Sequence, residues 1–376
     1  MYKIIICASF CFAQFSVLGQ NTEALSLFNK AIEAYNAKRY NVAAKLYSKA
    51  ITEEPSYVKA YYNRGNTYLQ VKNYDAAIKD FQKATDLKPD YAKAYYYLAY
   101  AQKQNEDYNS AIRNFSSALK LDKNYQSAYL QRGTVNMKLK KYTKAAEDFT
   151  SSLAIKPDQY SAIYNRAICY DKLELYEEAA EDYTAALELK PEKEKLILSR
   201  GKALLRDESY DEAIADFKLY LKEKNSAEAN YYIGYCLLKS DDYGTAGDYF
   251  DKALQLKGDY KAAAANKAIC SLHLEDYETA KVDYTRLIQI ENDNEENYLN
   301  RGIANLQLSN FEAAADDFTS AIDLKSGFPE AYYNRANAFI KLNKNEYACS
   351  DIKKAAKLGY EEADKYVKIL CNQGAN

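Results

Sequence analysis

Residues 62–70 read YNRGNTYLQ, and the core of this stretch returns as LQRGT (130–134), YNRAI (164–168), LSRGK (198–202), LNRGI (299–303) and YNRAN (333–337). Each copy sets an arginine beside a glycine or alanine, inside a segment patterned like the buried face of a helix. A buried guanidinium is costly unless it is paired, so the question is whether the motif binds something or holds the scaffold together. Marking the small residue and its equivalents gives Ala31, Gly65, Ala99, Gly133, Ala167, Gly201, Gly234, Ala268, Gly302 and Ala336. Every step is 34 residues except Gly201 to Gly234, which is 33. Fixed periods of this size mark stacked repeats.

Other columns keep the same beat. Alanine recurs from Ala43 and Ala77 to Ala348, and an aromatic follows four places later, as in Tyr47, Phe81, Phe115, Phe149 and Phe318. Tyr61, Gly65 and Tyr68 share one helical face, as do Ala77, Phe81 and Ala84 after a break at residues 72–75. Each unit is therefore expected to be two amphipathic helices joined by a short turn. Small residues let the backbones approach, and Pro55, Pro89, Pro157 and Pro191 end the second helix in four units.

The series Tyr61-x2-Arg64-Gly65-x2-Tyr68, then Ala77-x3-Phe81, then Pro89 resembles the tetratricopeptide repeat, with Tyr in the usual Trp column and Arg in the usual Leu column. The resemblance implies an all-α fold, a right-handed α-solenoid of helix-turn-helix units. Residues 20–359 are read as ten repeats, at 24–57, 58–91, 92–125, 126–159, 160–193, 194–226, 227–260, 261–294, 295–328 and 329–359. Residues 360–372 read as a capping helix over the open end.

Ten copies supply an internal comparison for the arginine. Sixteen residues after it lies an aspartate: Arg64 with Asp80, Arg132 with Asp148, Arg166 with Asp182, Arg200 with Asp216, Arg301 with Asp317, and Arg335 with Asp351. Lys267 goes with Asp283. Where the cation becomes Leu98 or Ile233, the partner becomes Asn114 or Tyr249. This covariation predicts structural ion pairs between the two helices of one unit, so the arginine is scaffold.

The composition excludes several functions. Net charge is −2 with both signs interspersed, which argues against nucleic-acid binding. A single histidine, His273, and the absence of phosphate-cradling glycine motifs leave no catalytic constellation; no enzyme activity, cofactor or metal site is expected. Residues 1–19 pair Lys3 with an apolar run and end in SVLG, which reads as a signal peptide cleaved after Gly19. A periplasmic or secreted protein without a membrane span in its mature form is expected, with a retained anchor as the alternative. Cys169, Cys236 and Cys270 read as buried free thiols, and Cys349 with Cys371 is the one pair singled out as a candidate bridge.

What remains is surface. Lys59, Tyr62, Asn66 and Gln70 lie at helical spacing on one side of a first helix, and Lys93, Tyr96, Tyr100 and Gln104 repeat the pattern in the next unit. The resemblance implies that this side lines a concave groove for a partner protein or extended peptide. Tyrosine offers apolar area at low entropic cost, although the same rings could merely cover helix seams. A chaperone-tail clamp of the family type would need lysine in the Tyr62 column, and no unit has one. The function read here is a protein–protein interaction scaffold for envelope or secretion-complex assembly. The alternatives are a glycan-binding module using the groove tyrosines and a self-associating structural protein.

Overall fold

A computed structural model describes residues 22–371. The signal peptide read at residues 1–19, its cleavage site after Gly19 and residue 372 of the cap lie outside the described residues. The chain groups into two compact units that divide between Lys190 and Pro191. The first holds α1 (Thr22–Asn36), α2 (Tyr40–Glu53), α3 (Val58–Gln70), α4 (Tyr74–Leu87), α5 (Ala92–Gln104), α6 (Tyr108–Leu121), α7 (Gln126–Lys138), α8 (Tyr142–Ile155), α9 (Tyr160–Lys172) and α10 (Tyr176–Leu189). The second holds α11 (Glu194–Arg206), α12 (Tyr210–Glu223), α13 (Ala227–Lys239), α14 (Tyr243–Leu256), α15 (Lys261–His273), α16 (Tyr277–Ile290), α17 (Glu295–Gln307), α18 (Phe311–Leu324), α19 (Pro329–Lys341), α20 (Asn345–Lys357) and α21 (Glu361–Leu370). Within each unit consecutive helices pack in antiparallel pairs, and each pair stacks on the next, which is an all-α solenoid of helix-turn-helix repeats.

The local chemistry makes both the helices and the turns. First helices end in a left-handed residue, such as Lys72 (φ 58°) and Glu174 (φ 61°). There Lys72 N–H donates to the Leu69 carbonyl and Asn73 N–H to that of Tyr68, a Schellman closure that satisfies carbonyls left open by the helix end. Several second helices then start on a side-chain cap: Asn73 accepts from Ala76 N–H, Asp107 from Ser110, Asp242 from Thr245 and Asp276 from Thr279.

Packing explains the fixed columns. Ala77, Phe81, Ala111, Phe115, Ala145 and Phe149 are fully buried. A Cβ on Gly65 would sit 2.8 Å from the Phe81 ring, and one on Gly302 would sit 2.6 Å from that of Phe318. A small residue in the first helix and a large ring in the second are thus one steric unit. At the C-terminal end α21 lays Ala363 and Val367 against Ala336, Ile352 and Ala355. A disulfide joins Cys349 in α20 to Cys371 just after α21, fastening this cap to the last pair. No described helix is long and apolar enough to cross a membrane.

Candidate functional site

The arginine column is internal to the scaffold. Arg64 donates from Nε and Nη2 to the two oxygens of Asp80, both at 2.7 Å, in a bidentate fork. Arg166–Asp182, Arg200–Asp216 and Arg335–Asp351 share this geometry. In Arg132–Asp148 and Arg301–Asp317 the Nη2 contact is 2.6 and 2.5 Å, and Asn136 or Asn305 supplies a further donor to the carboxylate. Burial pushes the Asp80 and Asp148 carboxyls upward, and the facing guanidinium opposes it.

Five of these guanidinium groups, those of Arg64, Arg132, Arg166, Arg301 and Arg335, have a second partner that the aspartate comparison alone overlooks. Nη1 of Arg64 reaches Ser48 at 2.8 Å, that of Arg132 reaches Ser116 at 2.8 Å, and that of Arg335 reaches Thr319 at 3.0 Å. The hydroxyl belongs to the second helix of the preceding repeat, so one arginine ties three helices together. The eighth repeat departs from this scheme. The repeat spacing pairs Lys267 with Asp283, yet its Nζ lies 2.8 Å from Asp251 and 3.6 Å from Asp283. An ammonium is a point charge without the guanidinium fork, and Asp283 Oδ2 keeps no hydrogen bond.

The groove residues separate into two groups. Asn66, Gln70, Tyr96, Tyr100 and Gln104 come together around an open concavity of about 690 Å³, joined by Tyr35, Leu69, Lys72, Tyr74 and Tyr97. Lys59 and Lys93 stand exposed in the first turns of α3 and α5, away from this concavity. Tyr62 also falls outside its lining. Its ring packs in the seam, 5.1 Å from Tyr91, 5.7 Å from Tyr97 and 5.9 Å from Phe81. Tyr96 does both, lining the concavity while its ring lies 4.8 Å from that of Tyr125. Burial, aided by Tyr97 and Tyr100, pushes the Tyr96 hydroxyl up to about 12.

A smaller concavity of about 250 Å³ shares Gln104 and adds Lys103, Glu106, Tyr108, Thr134, Val135 and Lys138. The two form a shallow path across α1, α3, α5 and α7. Its chemistry is tyrosine rings, amides and lysines, which can hold an extended chain by stacking and by hydrogen bonds to its backbone. No cluster of metal-ligating side chains occurs among the described residues. His273 is exposed and stacks on Tyr243 at 4.2 Å.

Stacked helical hairpins around an open, aromatic-lined groove define the class of helical-repeat binding scaffolds. Two models of the tetratricopeptide repeat match the chain, one at residues 58–91 and 160–193, the other at 96–160, 198–263 and 299–359. The chain belongs to the tetratricopeptide repeat family, whose folds typically serve as protein-interaction scaffolds. No curated protein sequence matches it. Among solved structures, the C-terminal part of a TPR repeat-containing protein from Cytophaga hutchinsonii is 20% identical over 64% of this chain and 98% of its own, with a TM-score of 0.51. Naa15/Naa10 bound to HypK-THB is 13% identical over 92% of this chain and 64% of its own, with a TM-score of 0.53. MamA is 25% identical over 46% of this chain and 94% of its own, at a TM-score of 0.44. The first two likenesses show the shared fold.

Proposed function

We propose that this chain is an exported interaction scaffold that holds an extended segment of a partner protein in the groove across α1, α3 and α5. The observation that carries this reading is the concavity where Tyr35, Tyr74, Tyr97 and Tyr100 alternate with Asn66, Gln70 and Gln104. Rings supply contact area with few rotatable bonds, and amides can pair with a peptide backbone. Two features support export: the signal-like residues 1–19 and the Cys349–Cys371 disulfide, a bond that persists in oxidising compartments. Work in envelope or secretion-complex assembly follows from a scaffold placed there.

A photo-crosslinking residue in place of Tyr100, introduced in the native host, tests the reading. The expected result is a partner captured from the envelope or secreted fraction, and no capture from a probe at Lys79 on α4. Equal capture at both sites, or capture of cytosolic proteins alone, would refute it.

A further inference from the structure

Three of the helices whose side chains build the groove carry no acid at all. Although 53 of the 376 residues are Asp or Glu, none occurs in α3, α5 or α7. Arg64 and Arg132 are neutralised by Asp80 and Asp148 on the second helices. Lys103 is not. Its ammonium is half-buried, held by Gln131 Oε1 at 2.6 Å and set 5.7 Å from the Tyr100 ring centre, with no carboxylate among the described residues in an ion pair with it. Burial lowers its pKa without an opposing acid. Lys138 lies beside it in the smaller concavity, and Lys72 lines the larger one. Only Glu106 opposes them there. In the second unit an inner lysine is compensated: Lys202 of α11, at the position Tyr100 holds in its repeat, meets Glu228 of α13 at 2.7 Å.

A half-buried cation with no counter-ion among the described residues, in a groove whose lining holds the single carboxylate of Glu106, fits an occupant that supplies more. We infer that the groove selects an acidic extended segment of its partner, with Asp or Glu side chains reaching Lys72, Lys103 and Lys138 while the rings take the residues between. This rests on the groove being the partner site. Recognition runs through internal side chains, so a free C-terminal carboxylate is not required.

Fluorescence anisotropy with the full chain tests it. The probes are labelled peptides of about twelve residues, roughly 40 Å when extended, acetylated and amidated, alternating Tyr with Glu, Gln or Lys. The Glu peptide is expected to bind at least about tenfold tighter than the Gln peptide at low salt, with the gap closing as salt rises. The double variant Lys72→Gln, Lys103→Gln should weaken the Glu peptide roughly tenfold and leave the Gln peptide unchanged. Equal binding of the Glu and Gln peptides, tighter binding of the Lys peptide, wild-type affinity in the double variant, or no binding of any probe would each overturn the inference. If charge proves irrelevant but Tyr100→Ser abolishes binding, the groove reading survives alone. If binding persists in Tyr100→Ser, both readings fail.

Discussion

Arg132 and Asp148 face each other across one helical hairpin at 2.6 Å, with 23% of the arginine side chain and 5% of the aspartate exposed. One repeat earlier the same two positions hold Leu98 and Asn114, and Gln102 accepts from the Asn114 amide at 2.8 Å. The protein thus contains its own uncharged solution. Arg132→Leu leaves a carboxylate buried without its cation and is expected to cost about 3 kcal/mol. Asp148→Asn should cost a comparable amount. The triple change Arg132→Leu, Asp148→Asn, Asn136→Gln rebuilds the set of the preceding repeat and should recover most of the loss. Urea unfolding of the variants gives the coupling, and purely additive effects would show that the pair is not a unit.

This pairing was legible because ten copies in one chain let charge be compared with its loss. The Ser48, Ser116 and Thr319 contacts were legible by the same means, since Leu98 is preceded at the equivalent position by Gln82 rather than a hydroxyl residue. The aspartate column by itself does not show them. Groove membership was harder. Tyr62 and Tyr96 occupy one column, yet Tyr91 and Tyr97 close over the first ring while the second still borders open space. Periodicity assigns a face but not how far neighbouring rings cover it. Tyr35 and Leu69, one position before Asn36 and Gln70, carried no polar signal at all.

The close approach of the two helices gives a steric prediction. A methyl on Gly302 would lie 2.6 Å from Phe318 Cε1, and Phe318 is fully buried with no room to swing. Gly302→Ala gains up to about 1 kcal/mol of helix propensity but must push the hairpin apart, at a cost of roughly 1–3 kcal/mol. Net destabilisation is expected. Gly244→Ala, where a Cβ would meet nothing within 4 Å, should instead be neutral or stabilising. A higher thermal midpoint for Gly302→Ala would contradict this packing account.

The turns store backbone strain in the same register. Lys72, Glu106, Glu174 and Glu208 sit at φ values of 58–63°, a region costly for residues with a Cβ. Glu174→Gly should relieve that strain and, after the extra chain entropy of glycine, stabilise the protein by about 0.5 kcal/mol. Asn343 already has a residue tolerant of this conformation, so Asn343→Gly should gain less. Denaturant midpoints of the two variants check the order; a larger gain at Asn343 would argue against strain as the cause.

Alkaline pH tests the seam packing. Burial raises the hydroxyls of Tyr47 and Tyr96 from the ordinary value of 10.0 to about 12, and pushes Tyr62 and Tyr125 up as well. A group that keeps its proton in the fold but loses it in the unfolded chain makes stability fall as pH rises. The contribution is therefore intact below pH 10 and lost between the unfolded value and about 12. Tyrosines outside the seams should ionise first, with the helix signal unchanged. The seam tyrosines should ionise only as helicity collapses. Tyrosinate absorbance recorded beside circular dichroism would separate the two phases. A single phase near pH 10 with helices intact would mean that these rings are solvated, and the groove would then have to be redrawn to include Tyr62.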